Sequence, residues 1–194
     1  MFPPTMKRLL TAIIVMGLTA CSQPELQGDT KAMDFGAFSI ETPLSWQQIK
    51  ASGIDSYVGR IAIDEKDTLH FDLGWYSNTL TESDPAIMDR PTLQEFAKIG
   101  QPLDTSEMII VESRKGLDID NYKKQNVSWD TIDGRKAKIV YPRKSGSGIT
   151  GVYIDSLWVS GSDVDHFNLY GDNLKPINEE KVLEVIQTLK FKKN

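Results

Sequence analysis

Few residues in this 194-residue chain are of types that do covalent or metal chemistry: it holds one cysteine and two histidines. A single cysteine excludes an intramolecular disulfide and a Cys-cluster metal site. Two histidines leave little material for a zinc site. His70 and Asp72 are two apart, so on a strand they share a face. Base catalysis from that pair needs a nucleophile nearby, and metal binding needs a third ligand. Without these, the pair is expected to be the polar face of a sheet. Asp163, Asp165 and His166 form a second group, in which Asp165 and His166 point to opposite faces of a regular strand. A turn entering a strand accounts for them. Asp118-Ile119-Asp120-Asn121 is oxygen-rich but lacks the glycine and terminal glutamate of a calcium loop, and it suits a helix cap. Lys144-Ser145-Gly146-Ser147-Gly148 places its lysine before the glycines, the reverse of a phosphate loop, and reads as a turn.

No catalytic set, metal site or cofactor site follows from these residues, so a non-catalytic protein is expected. A hydrolase would need a fold that brings His70 or His166 within hydrogen-bond reach of a serine and an aspartate. Contact chemistry is better represented. Trp75 and Tyr76 stand just after an expected strand, where aromatic side chains favour protein or sugar contact. Trp75 could instead close the edge of the core, and Trp46, Trp129 and Trp158 read as core or rim residues. Trp75, Tyr76 and Trp129 are the candidate partner or ligand surface.

The one thiol has a distinctive setting. Met6-Lys7-Arg8 is basic, and Leu9 to Thr19 is an uncharged, mostly apolar run of 11 residues. That run is too short to cross a bilayer of about 30 Å as a helix, which takes about 20 residues. Small residues at 19 and 20 let the backbone enter a peptidase site, and the thiol of Cys21 is a nucleophile able to carry a diacylglycerol thioether. Leu18-Thr19-Ala20-Cys21 closely resembles the lipobox of bacterial lipoproteins. The resemblance implies removal of residues 1–20 and a lipid (palmitate-type) anchor on Cys21, in the membrane of a bacterial cell envelope. Ser22, in place of the retention-type Asp, points to the outer membrane, facing periplasm or exterior. An ordinary secretory signal with an incidental cysteine is the alternative. Residues 22–34 are poor in apolar side chains and read as a tether. The expected organisation is a signal over 1–20, a lipidated cysteine and tether over 21–34, and one domain over 35–194.

The first 20 residues hold two of the 22 basic and none of the 27 acidic residues, so the remainder carries 20 against 27, a net charge of −7. That balance argues against nucleic acid as a partner, which calls for a basic face. It also denies the domain any attraction to an anionic membrane surface.

Period-two alternation marks the expected strands. Phe38 and Ile40 alternate with polar neighbours until Pro43. Tyr57–Ile63 and Leu69–Trp75 flank the short charged link 64–67, with Leu69, Phe71, Leu73 and Trp75 on one face. Val127–Ile132, Asp133-Gly134 and Arg135–Tyr141 read as a hairpin with a type I′ turn. Thr150–Trp158 and Asp165–Tyr170 complete a four-strand meander. Three helices are expected: one at Thr92-Leu93-Gln94-Glu95 with Thr92 as cap, a short one over Asp118–Asn126, and one after Asn178 with Val182, Val185, Ile186 and Leu189 on its apolar stripe. Residues 79–104 read as a long surface excursion around the first helix.

The order of elements resembles the PsbP-like α/β/α sandwich, carried by Phe38, Ile40, Pro43 and Trp46 at the start and Val182, Val185, Ile186, Leu189 and Phe191 at the end. The fold this implies is α+β, a mainly antiparallel sheet with helices packed on it. Such proteins are mostly binding or assembly modules, so the resemblance implies an envelope protein as partner, with a small ligand or carbohydrate as the alternative.

Overall fold

The computed structural model describes residues 28–101, 103–160 and 162–192. Cys21 and the signal ahead of it lie outside the described residues. In chain order the strands and helices are β1 (Thr30–Asp34), β2 (Phe38–Pro43), β3 (Gln47–Lys50), β4 (Tyr57–Ala62), β5 (Thr68–Gly74), β6 (Ala86–Asp89), α1 (Arg90–Lys98) and β7 (Met108–Val111). They continue as β8 (Gln125–Ile132), β9 (Arg135–Pro142), β10 (Ile149–Ser160), β11 (Asp163–Asp172), α2 (Pro176–Val185) and β12 (Lys190–Phe191). Single 3-10 turns at Ile119–Tyr122 and Ile186–Thr188 precede β8 and follow α2.

Seven strands form one antiparallel sheet in the order β3-β4-β5-β11-β10-β9-β8. The chain alternation explains the pairing. Leu69, Phe71 and Leu73 are buried on the inner face, opposite Ile61 and Gly59 of β4 and Leu169 and Phe167 of β11. The β8–β9 hairpin closes at Asp133 and Gly134, both with positive φ (48° and 75°), the pair a type I′ turn requires. The four strands β8 to β11 are consecutive neighbours, the expected meander.

A second antiparallel sheet, β1-β2-β12, joins the same core together with α2. Phe38 of β2 is at its centre, fully buried, with ring centroids of Phe35, Phe71 and Phe167 4.8–5.0 Å away and Phe191 at 6.2 Å. Offset and edge-on aromatic pairs of this kind contribute about 0.5–1.5 kcal/mol each beyond their buried area. Val182, Val185, Ile186 and Leu189 are fully buried, as the helical spacing anticipates.

The architecture differs from the α+β, PsbP-like sandwich in what covers the large sheet. It is a β-rich fold of mostly antiparallel strands, and the described residues hold only two short α-helices, of nine and ten residues. On the inner face a small sheet stands where helices were expected, with α2 as the one helix in the core. α1 buries no residue and forms no layer. Its apolar stripe is short, and its cap is Asp89, which accepts from Thr92 N–H at 2.9 Å, rather than Thr92. The excursion holds a further strand, β6, which pairs in parallel across α1 with β7 just beyond it. Residues 30–34, assigned to the tether by composition, are strand β1, registered Asp34 to Ser39 and Thr30 to Pro43 against β2. Asn178 does not cap α2; Lys175 holds that position, and Asn178 donates instead to Asp64 and Asp67.

Candidate functional site

The outer face of the large sheet is crossed by a strap, residues 75–82, that begins where β5 ends. Ser77 is buried at the bend, its Oγ 2.9 Å from the carbonyl of Asp72 and 3.2 Å from that of His166. Asn168 of β11, fully buried, donates to Asn78 O at 3.0 Å and accepts from Asp72 N–H at 3.1 Å. Leu80 takes a positive φ of 57°, uncommon for a branched side chain, and is held there by burial against Val140 and Tyr153. Gln125 and Lys138 donate to the carbonyls of Leu80 and Thr79. A strap so fixed presents Trp75 and Tyr76 outward, 52% and 75% exposed. Trp75 therefore does not share the buried face of Leu69, Phe71 and Leu73.

Trp129 lies on β8, the last strand of the sheet, and is 56% exposed beside Val127 at 49%. Lys136 places its ammonium 4.3 Å from the centre of the Trp129 ring. Residues 127–131 are all exposed, and nothing among the described strands pairs with the free side of β8. β5 and β8 are four strand spacings apart, roughly 19 Å at about 4.8 Å each. The three aromatic candidates are thus all on the surface but lie in two separate patches, the strap bend and the edge strand. Trp46 is a core residue at 3% exposure, and Trp158 packs against the core with its Nε1 buried and without a partner among the described residues.

His70 and Asp72 do share the outer face. With Arg60 and Tyr170 they line an open cleft of about 350 Å³ between β4, β5 and β11. The rings of His70 and Tyr170 are 5.8 Å apart and tilted by 30°. Partial burial, and then the charge of Arg60, hold His70 below its ordinary pKa, so it is neutral at pH 7 and able to donate and accept. One carboxylate oxygen of Asp72, Oδ1, is buried with no hydrogen-bond partner among the described residues. This cleft is the feature that sequence reading missed: spacing gave the His70–Asp72 pair, but Arg60 and Tyr170 come from strands whose register no local pattern declares.

His166 sits at a bulge in the β10–β11 ladder, between Ile154 and Trp158. Its Nδ1 contacts the carbonyl of Asp155 and lies 3.3 Å from Tyr153 Oη, which donates to Asp155 Oδ1 at 2.9 Å. Burial, reinforced by that bond to Asp155, pushes the Tyr153 hydroxyl up to about 12. The buried serine beside it, Ser77, engages the backbone of His166 and not its ring. Elsewhere, Asp118 accepts from Asp120 N–H at 3.1 Å as a cap. The turn at 144–148 is pinned by the buried Glu179, which accepts from Ser145 Oγ at 2.6 Å and Gly146 N–H at 3.0 Å. Among the described residues no group of three or more His, Cys, Asp or Glu side chains is placed to hold a metal. Among them also, no helix is long and apolar enough to cross a membrane. No family model matches the chain, and no curated protein matches it significantly.

Proposed function

We propose that this chain is a lipid-anchored protein of the bacterial cell envelope whose folded part is a non-catalytic module that binds a protein partner. The observation that carries the reading is β8: an eight-residue edge strand, open on one side, with Trp129 and Val127 exposed side by side. Natural sheets protect their edges with short strands, lysines, prolines or bulges. The opposite edge, β3, is four residues long and carries Lys50. β8 has no proline and no basic residue, and Asp130 is its only charge. An unprotected edge with an outward tryptophan suits strand addition, in which backbone hydrogen bonds give affinity and side-chain contacts give choice. Trp75 and Tyr76 at the strap bend add a second contact surface. The lipobox-like Leu18-Thr19-Ala20-Cys21 supplies the anchor in this reading. The test is a photo-reactive phenylalanine analogue at Trp129 in cells expressing the full chain, with the exposed Glu112 as control position. A discrete protein adduct is expected at 129 and not at 112. Adducts at neither position, or the same ones at both, would overturn the reading.

A second reading, small-ligand or carbohydrate binding, is favoured by the His70 cleft. Arg60 can donate, neutral His70 can donate and accept, and the rings of Tyr170 and His70 offer faces to a sugar. Soluble peptidoglycan fragments should then shift the His70 imidazole resonances and leave those of His166 in place. Unmoved His70 signals at millimolar fragment would exclude these fragments as the ligand class.

A further inference from the structure

The partner that best fits β8 is β8 itself: we propose that two copies of this chain join edge to edge, β8 antiparallel to β8, about a two-fold axis normal to the sheet. The inference rests on the reading of β8 as a protein contact and names the partner.

The symmetry restricts the register. An axis normal to the sheet keeps outer face beside outer face, so opposed residues must have the same parity in number. The outer face of β8 carries Gln125, Val127, Trp129 and Thr131, as their pairing with Pro142, Val140, Lys138 and Lys136 of β9 shows. The registers that overlap most of the strand are therefore centred on Ser128 or on Trp129. A centre at Trp129 sets the two indoles against each other. It also draws in Ile132, which is 1% exposed in the core beside the turn. A centre at Ser128 places Val127 of each copy opposite Trp129 of the other. That makes two aromatic–β-branched pairs, the kind that stabilise antiparallel ladders. Asp130, the only charge on the strand, meets Asn126 in this register and Ser128 in the other, so neither sets it against its own copy. The sequence of β8 thus pairs with itself without like-charge contact, and the paired Val127–Trp129 contacts select the Ser128 centre. The interface is small beside standard stable ones, so the dimer forms weakly in solution, and anchoring on one membrane raises its effective concentration.

Two measurements on the full chain test this, in detergent and in a Cys21→Ser background so that any introduced thiol is unique. Sedimentation across a range of concentrations should show the mass doubling. Trp129→Asp should weaken association at least tenfold with unchanged circular dichroism, since the side chain is exposed. Ser128→Cys should oxidise to a disulfide-linked dimer, because residues directly opposed across an antiparallel pair bring their Cα atoms to about 4.5–5.5 Å, within disulfide range. Asp130→Cys should not link. A monomer at every concentration, a dimer indifferent to Trp129→Asp, or a dimer without the 128 link overturns the proposal. A monomer whose position 129 still photo-crosslinks to another envelope protein sinks the self-pairing and leaves the protein-contact reading standing. A monomer that crosslinks to nothing sinks both.

Discussion

Asp64 and Asp67, in the turn between β4 and β5, bind the start of α2. Asp64 Oδ2 accepts from Lys175 Nζ and Asn178 Nδ2, both at 2.8 Å, and its Oδ1 accepts from the N–H groups of Lys66 and Asp67. Asp67 accepts from Lys175 N–H at 2.8 Å and from Asn178 at 2.7 Å. The Lys175 ammonium, aided by those two N–H groups, holds the Asp64 carboxyl well below the usual carboxylate range. A carboxylate depressed by folding binds its proton more readily in the unfolded chain. Its contribution is complete above the unfolded pKa of about 3.9 and is lost as pH falls toward the folded value. Urea midpoints should therefore drop more steeply below about pH 4 in the wild type than in Asp64→Asn, which has no proton to take up. Parallel curves would remove Asp64 from the account. In the sequence this stretch reads as a charged hairpin link, which it is. Its second role was hidden because Lys175 is 111 residues away.

At the scale of elements, backbone approach decides as much as side-chain pattern. Gly151 on β10 lies between Val140 of β9 and Tyr170 of β11. A methyl group there would stand 2.3 Å from Leu169 O and 2.6 Å from Tyr170 Cβ, atoms of the neighbouring strand that cannot turn aside. Gly151→Ala should destabilise by about 1–3 kcal/mol, the usual range for overpacking, read as a lower melting temperature. Ser128→Ala on the exposed edge should stay within about 0.5 kcal/mol. Equal melting temperatures for the two would contradict the close approach. The meander and the β4–β5 hairpin were legible because their alternation is strong and Asp133-Gly134 marks a turn. The second sheet was legible only in β2, from Phe38 and Ile40: its outer strand β1 has one buried apolar residue, Met33, and β3 at the edge of the large sheet has none, so neither shows a period of two. Both are strands because a neighbour supplies the register, which no local window contains. Without those strands the remaining order looked like helices on a sheet, and the β-rich sandwich was read as α+β. The candidate surface was half legible: Trp75, Tyr76 and Trp129 are all exposed, yet that they stand on two sites depends on strand order alone.

For the whole molecule, the anchor reading turns on what holds an acidic domain at a membrane. Beyond residue 20 the chain carries 20 basic against 27 acidic residues, so an anionic lipid surface repels it on average. β1 begins at Thr30, leaving eight residues after Cys21, and eight residues span at most about 28 Å. A domain on so short a link stays near the bilayer only if the link itself is fixed there. Acyl chains contribute about 0.8 kcal/mol per buried methylene, enough for firm attachment when two or more are present and insensitive to salt. Attachment through charge would be released by salt within a Debye length of about 3 Å at 1 M. The expected outcome is that the full chain takes up labelled fatty acid, floats with membranes and remains there in 1 M salt, while Cys21→Ser is unlabelled. Protein that is unlabelled, or that salt removes, refutes the anchor. It would also take away the confinement that lets a weak edge-to-edge dimer persist, so the labelling result sets the concentration at which β8 pairing has consequences.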